Sequence, residues 1–215
     1  MESLTLTTSD GVLIAADYYP AEGDRYAILL HMMPATKESW RDFAAILQTH
    51  GISSIAIDER GHGMSEGGPD SYKKFADNEQ QAKIKDVESA WRELERRGAT
   101  AEKTVLVGAS IGANIAIRYL LEEPQNQIAV ALSPGLDYHG VTTNDAVKKL
   151  GEDKFILILA SEEDEMSFKS SQRLKELNID QVEFRPQNNI GHGTAMFENA
   201  PDLIQAVVDW INARL

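Results

Sequence analysis

A chain of 215 residues with 42% hydrophobic and 26% charged residues has the make-up of a globular protein, and its length suits one domain spanning 1–215. It contains no cysteine, which excludes disulfides, thiolate metal sites and a cysteine nucleophile. With 34 acidic against 21 basic side chains the net charge is −13, so the surface repels phosphate backbones and nucleic acid is not an expected partner.

Residues 1–20 carry neither a basic leader nor an unbroken apolar run, and no later segment approaches the roughly 18 apolar residues that a membrane helix needs. A cytoplasmic protein with no membrane span is the expectation. Residues 4–8 and 12–19 flank Ser9-Asp10-Gly11 and predict an antiparallel hairpin at a sheet edge. Short apolar runs then recur at 27–30, 54–57, 104–107, 128–132, 155–159 and, less sharply, 182–184. Amphipathic stretches separate them: Trp40, Phe43, Ala44 and Leu47 fall at helical spacing, as do Ile84, Val87, Trp91 and Leu94, then Ile111, Ile115 and Tyr119. A last helix places Leu203, Val207, Trp210 and Ile211 on one face. This alternation predicts an α/β protein with a mostly parallel sheet and helices on both faces.

The run at 104–107 is followed by Gly108-Ala109-Ser110-Ile111-Gly112 and then a helical pattern. A serine on so sharp a strand-to-helix turn needs tiny neighbours two positions away, and its hydroxyl stands at a helix N-terminus where backbone N–H groups can hold an oxyanion. Ser110 is the candidate nucleophile.

A serine hydroxyl needs an imidazole to take its proton and a carboxylate to orient that imidazole. Of the five histidines, His50 ends a helix pattern before Gly51, and His31 and His62 stand beside glycine or proline in loops that suggest structural bonding. His139 lies beside Tyr138 after the fourth run. His192, in Ile190-Gly191-His192-Gly193 between the last strand and the last helix, is the candidate base. The acid should follow a strand end. Glu162, Glu163, Asp164 and Glu165 do so directly after residues 155–159; Asp164 is preferred, its glutamate neighbours are expected to face solvent, and Asp137 is the rival.

With these residues in place the chain resembles an α/β-hydrolase, specifically a small serine hydrolase of the esterase and lipase type. The order Ser110, Asp164, His192 matches that family's order of nucleophile, acid and base. Asp58-Glu59-Arg60-Gly61-His62-Gly63-Met64-Ser65 is similar to a structural turn that precedes the nucleophile helix in many members. Leu29-Leu30-His31-Met32-Met33-Pro34 falls where the family often has H-G-x, and the resemblance implies oxyanion donors at the N–H groups of Met33 and Ile111. Met32 departs from the pattern, since glycine is usual there.

Larger relatives insert a cap after the strand that follows the nucleophile helix, and here residues 133–153 offer space only for a short lid or loop, with a short helix near 145–150 as one form of it. An open site follows, with Tyr138 and His139 on its rim. Met32, Met64, Met166 and Met196 occur in loops expected near the site and, with Tyr138, are candidate substrate-binding residues suited to apolar acyl groups; core filling is the alternative for Met64 and Met196. No metal constellation, phosphate loop or cofactor is expected. The expected function is a serine hydrolase of carboxylic esters with a small-molecule ester substrate. A thioesterase or acyltransferase with the same triad, and a non-catalytic binding module on the same fold, remain open alternatives.

Overall fold

The computed structural model describes residues 1–123 and 125–215. Ten strands lie along the described chain: β1 (Glu2–Thr7), β2 (Leu13–Tyr19), β3 (Arg25–Leu30), β4 (Ile52–Ile57), β5 (Thr104–Ala109), β6 (Ile128–Leu132), β7 (Asp137–Tyr138), β8 (Val141–Thr142), β9 (Phe155–Ser161) and β10 (Val182–Gln187). Eight of them form one sheet in the order β1-β2-β4-β3-β5-β6-β9-β10, while β7 and β8 pair as a separate small hairpin. β2 is antiparallel to both β1 and β4, and the pairings from β4 across to β10 are parallel. All six apolar runs have become strands, and the N-terminal hairpin lies at the edge where its sequence puts it.

The runs are continuous because both faces of the sheet are covered. Ile28, Leu30, Leu106, Ala129, Ala131, Ile156 and Ile158 pack into one core, whereas Ala27, Leu29, Val105, Val107, Val130, Leu157 and Leu159 pack into the other. Successive residues of a strand point to opposite faces, so a strand covered on both faces is apolar at most positions, with small Ser53, Ser54 and Thr104 the buried polar exceptions. The first core is closed by α3 (Ile84–Arg96), α4 (Ile111–Glu122), α5 (Asn144–Lys148) and α6 (Glu165–Leu177), through Val87, Leu94, Ile115, Val147 and Leu174. The second is closed by α1 (Arg41–Thr49), α7 (Ala195–Asn199) and α8 (Asp202–Asn212), through Phe43, Leu47, Phe197, Val207 and Ile211. A short helix, α2 (Asp77–Gln81), leads into α3.

Sheet order fixes where a ligand can enter. From β3 the chain runs to β4 on one side, and from β5 it runs through α4 to β6 on the other. Their outgoing loops therefore diverge and open a crevice at the carboxyl ends of β3 and β5, the switch point of an open α/β sheet. Met32 and Met33 follow β3, and Ser110 follows β5. Segment 133–153 folds as the β7–β8 hairpin and α5, with no large cap.

Candidate active site

Ser110 has φ 54° and ψ −120°, a strained conformation for a residue with a side chain, sandwiched between β5 and α4. Its neighbours explain how the turn closes. A Cβ on Gly108 would collide with the Gly112 carbonyl oxygen, and one on Gly112 would stand 2.5 Å from the Leu30 carbonyl oxygen. The Ser110 N–H donates to Leu132 O at 2.8 Å, and its carbonyl accepts from Ala113 and Asn114 at 3.0 and 3.2 Å, so backbone bonds hold the turn from both sides. Ser110 is 8% exposed. The N–H of Ile111 heads α4, among the first-turn donors that have no partner within a helix.

The other two chemical groups arrive on separate loops. Asp164 stands at the N-cap position of α6, just past the end of β9 at Ser161, and His192 lies in the loop between β10 and α7. His192 Nδ1 is 2.5 Å from Asp164 Oδ2, with the imidazole 37% and the carboxylate 16% exposed. A carboxylate oxygen cannot donate, so Nδ1 carries the proton and Nε2 is left as the acceptor. Asp137, the rival acid, is exposed on β7, where its Oδ1 accepts the Gly140 N–H at 2.7 Å. The structure thus brings Asp164, and not Asp137, to the imidazole.

The histidine loop is seated against the nucleophile strand. The Gly193 N–H donates to Ser133 Oγ at 3.0 Å, and a Cβ on Gly193 would lie 3.5 Å from that of Ala109, the residue before Ser110. Tyr138 closes another side. Its hydroxyl bonds Ser167 Oγ at 3.0 Å and Ser133 O at 3.4 Å. Burial pushes the Tyr138 phenol above its ordinary pKa, so it stays protonated.

The methionines divide. Met32 packs its sulfur where Gly193 leaves room, and Met33 is half-buried with its sulfur 3.9 Å from Gln80 Nε2. Met166 is 58% exposed in the first turn of α6, two positions after Asp164. Met64 is 81% exposed and Met196 is fully buried among Trp40, Phe43 and Phe197 in the second core. Met196 is therefore core packing and not a pocket wall: α7 turns its apolar face inward, a choice that loop position alone does not reveal.

Beneath the turn that carries Met32 and Met33 lies a buried polar layer. His31 Nδ1 faces Met32 O at 2.9 Å and its Nε2 accepts the Glu59 N–H at 3.0 Å, which fixes the neutral Nδ1–H tautomer. His62 stacks on Tyr72 with ring centroids 4.0 Å apart, and its Nδ1 donates to Arg60 O at 3.1 Å. Burial, then the nearby Lys83 ammonium, lowers the His62 pKa to about 4. Side-chain atoms of His31, Glu59 and His62 converge within 4.8 Å, a cluster that their spacing in sequence did not suggest. Both His31 nitrogens are spent on backbone, however, and Lys83 Nζ lies 2.8 Å from Glu59 Oε2, so an ammonium already occupies the cation's place. Asp58 binds the N–H groups of Lys37 and Met64 at 2.8 and 2.9 Å, and Arg60 binds buried Asp86 through its Nε and its N–H at 2.8 and 2.9 Å. The motif at 58–65 is thus a structural brace for the site.

The sequence reading expects Glu163 to face solvent and gives it no part in the site. Although exposed, its carboxylate turns back onto the histidine loop, accepting from Gly191 N–H at 2.6 Å, Asn189 N–H at 2.8 Å and Ser161 Oγ at 2.5 Å. In a run of four acids nothing local distinguishes the one that faces inward.

Residues 22–197 match the family described as Serine aminopeptidase, S33. The chain belongs to this family of α/β-hydrolases. Among curated proteins, the chain is 28% identical over 129 residues to a non-heme chloroperoxidase of Streptomyces lividans, a match covering 60% of this chain and 42% of that protein. The chain thus aligns with well under two thirds of that relative's length. Among solved structures, the chain resembles DcsB in complex with its substrate analogue, with a TM-score of 0.85, 15% identity and coverage of 100% of this chain and 99% of that one. It also resembles the Pyrococcus furiosus esterase Pf2001, with a TM-score of 0.77, 19% identity and coverage of 99% and 90%. The esterase RhEst1 from Rhodococcus sp. ECU1013 gives a TM-score of 0.80 at 16% identity, covering 100% of both chains. These likenesses establish the shared fold. No helix among the described residues is long and apolar enough to cross a membrane.

Proposed function

We propose that this α/β-hydrolase cleaves carboxylic esters of small or medium apolar acyl groups through an acyl-enzyme on Ser110. The observation that carries the reading is the 2.5 Å pair of Asp164 and His192, on a histidine loop whose Gly193 packs against Ala109, the residue before the strained Ser110 turn. Family membership and two esterase neighbours support the reaction class.

In this reading Ser110 Oγ attacks the ester carbonyl carbon while its proton passes to His192 Nε2. Asp164 holds Nδ1–H and stabilises the imidazolium. The N–H groups of Ile111 and Met33 receive the oxyanion, a contribution of about 3 kcal/mol for each donor. Collapse of the tetrahedral species breaks the C–O bond, and the leaving alkoxide takes the proton from His192. Water then attacks the acyl-enzyme by the same route and frees the acid. Met32, Tyr138 and Met166 border the acyl group, and segment 133–153 forms a rim over an open site.

The test is turnover of p-nitrophenyl esters of increasing acyl length, run beside thioesters of equal length, with fluorophosphonate labelling. Ser110→Ala should abolish both turnover and labelling. Labelling that persists in Ser110→Ala would place the nucleophile elsewhere and overturn the reading.

A further inference from the structure

We infer that Glu163 is a positioning residue for His192, an inference that rests on the hydrolase reading above. Two consecutive carboxylates serve one loop: Asp164 takes the imidazole, and Glu163 takes the backbone that carries it.

Asn189 has φ 52° and Gly191 φ 89°, left-handed values that turn successive N–H groups toward one side. The N–H groups of Asn189 and Gly191 reach Glu163 at 2.8 and 2.6 Å, and that of Ile190 reaches Ser161 Oγ at 3.2 Å. Ser161 Oγ in turn donates to Glu163. Three consecutive donors thus converge on Ser161 at the end of β9 and on Glu163 just beyond it. On the far side of the imidazole, Gly193 is tied to Ser133 Oγ at 3.0 Å. His192 is suspended between these two anchors.

The anchor nearer Asp164 is anionic under all working conditions. The Ser161 hydroxyl first, then the Gly191 N–H, hold the Glu163 carboxyl down to about 2. Charge-assisted bonds from backbone donors are the stronger kind, and a neutral amide offers a single acceptor where the carboxylate offers two. Because Glu163 and Asp164 are neighbours on one strand end, the clamp sets the distance from His192 to its acid without touching substrate. A displacement of about 1 Å in such a group costs up to roughly 100-fold in rate.

The experiment compares wild type, Glu163→Gln and Glu163→Ala on p-nitrophenyl acetate, with the His192 Nδ1–H proton and the Asn189 and Gly191 amides followed by NMR. The expected result is a graded loss of kcat, about 10-fold for Gln and up to about 100-fold for Ala, with KM within about twofold. Faster exchange of the two amides and a weakened, broadened His192 Nδ1–H signal should accompany it. A kcat within about twofold of wild type in folded Glu163→Gln, or unchanged amide protection and imidazole signal, would overturn the clamp. The NMR readouts need no turnover, so a wild type inert toward every ester would refute the hydrolase reading while the clamp is still judged on the amides and the imidazole proton.

Discussion

A Cβ placed on Gly193 would stand 2.5 Å from Met32 Sδ, so the loop that carries His192 and the turn that follows β3 share one packed contact. Met32 stands where the family resemblance leads one to expect glycine, and its side chain fills the space that Gly193 leaves open. The departure at 32 is accommodated by a glycine 161 positions away in sequence.

Gly193 also has φ 59°, so Gly193→Ala combines backbone strain with the sulfur clash. The substitution should lower stability by about 1–3 kcal/mol. Adding Met32→Ala should recover the clash and leave the backbone strain. Urea denaturation of the two single variants and the double variant measures the coupling; strictly additive losses would mean that the two residues do not share the contact.

Asp164→Asn should lower kcat by about 1,000- to 10,000-fold on a short ester, because the amide no longer selects the Nδ1–H tautomer. Asp137→Asn should leave kcat within about twofold, since its carboxylate only caps the Gly140 turn. A stopped-flow comparison of the two variants decides it, and equal losses would refute the assignment of the acid.

Arg60 is the counter-charge of Asp86, whose carboxylate is fully buried and, through that burial, has its pKa raised to about 6 despite the arginine. Arg60→Met leaves that carboxylate unpaired and should cost about 3–5 kcal/mol of stability at pH 8. Arg60→Met combined with Asp86→Leu should restore much of the loss. Thermal melts of both variants test the pairing.

His62 is neutral in the fold, with a pKa of about 4 against about 6.5 when unfolded. A depressed histidine contributes nothing unfavourable above pH 6.5; below it the unfolded chain takes up the proton first. Stability should therefore fall as pH drops from 6.5 toward 4, by an amount on the order of 3 kcal/mol. His62→Phe keeps the ring on Tyr72 and should flatten that part of the profile. An unchanged slope in the variant would assign the acid loss to other groups.

The strands were legible because burial on both faces leaves an unbroken apolar run, and the Ser110 turn was legible because its glycines are forced by backbone contact. The β7–β8 pairing was not, since two-residue strands are too short for any periodicity. Glu59 and Lys83 are residue types that seldom leave water, yet both are almost wholly buried, because each supplies what the other needs across 24 positions. Glu163 was hidden for a related reason: its role depends on donors contributed by residues 189 and 191.

The outermost strand β10 carries Pro186 along with Glu183 and Arg185. A proline there withholds a ladder donor, and charges beside it make an approaching strand lose hydration, so that rim resists recruiting strands from other molecules. The same strand leads into the histidine loop. Replacing Pro186 by a β-branched residue in pursuit of a firmer sheet would thus risk edge-to-edge aggregation at the segment on which His192 depends.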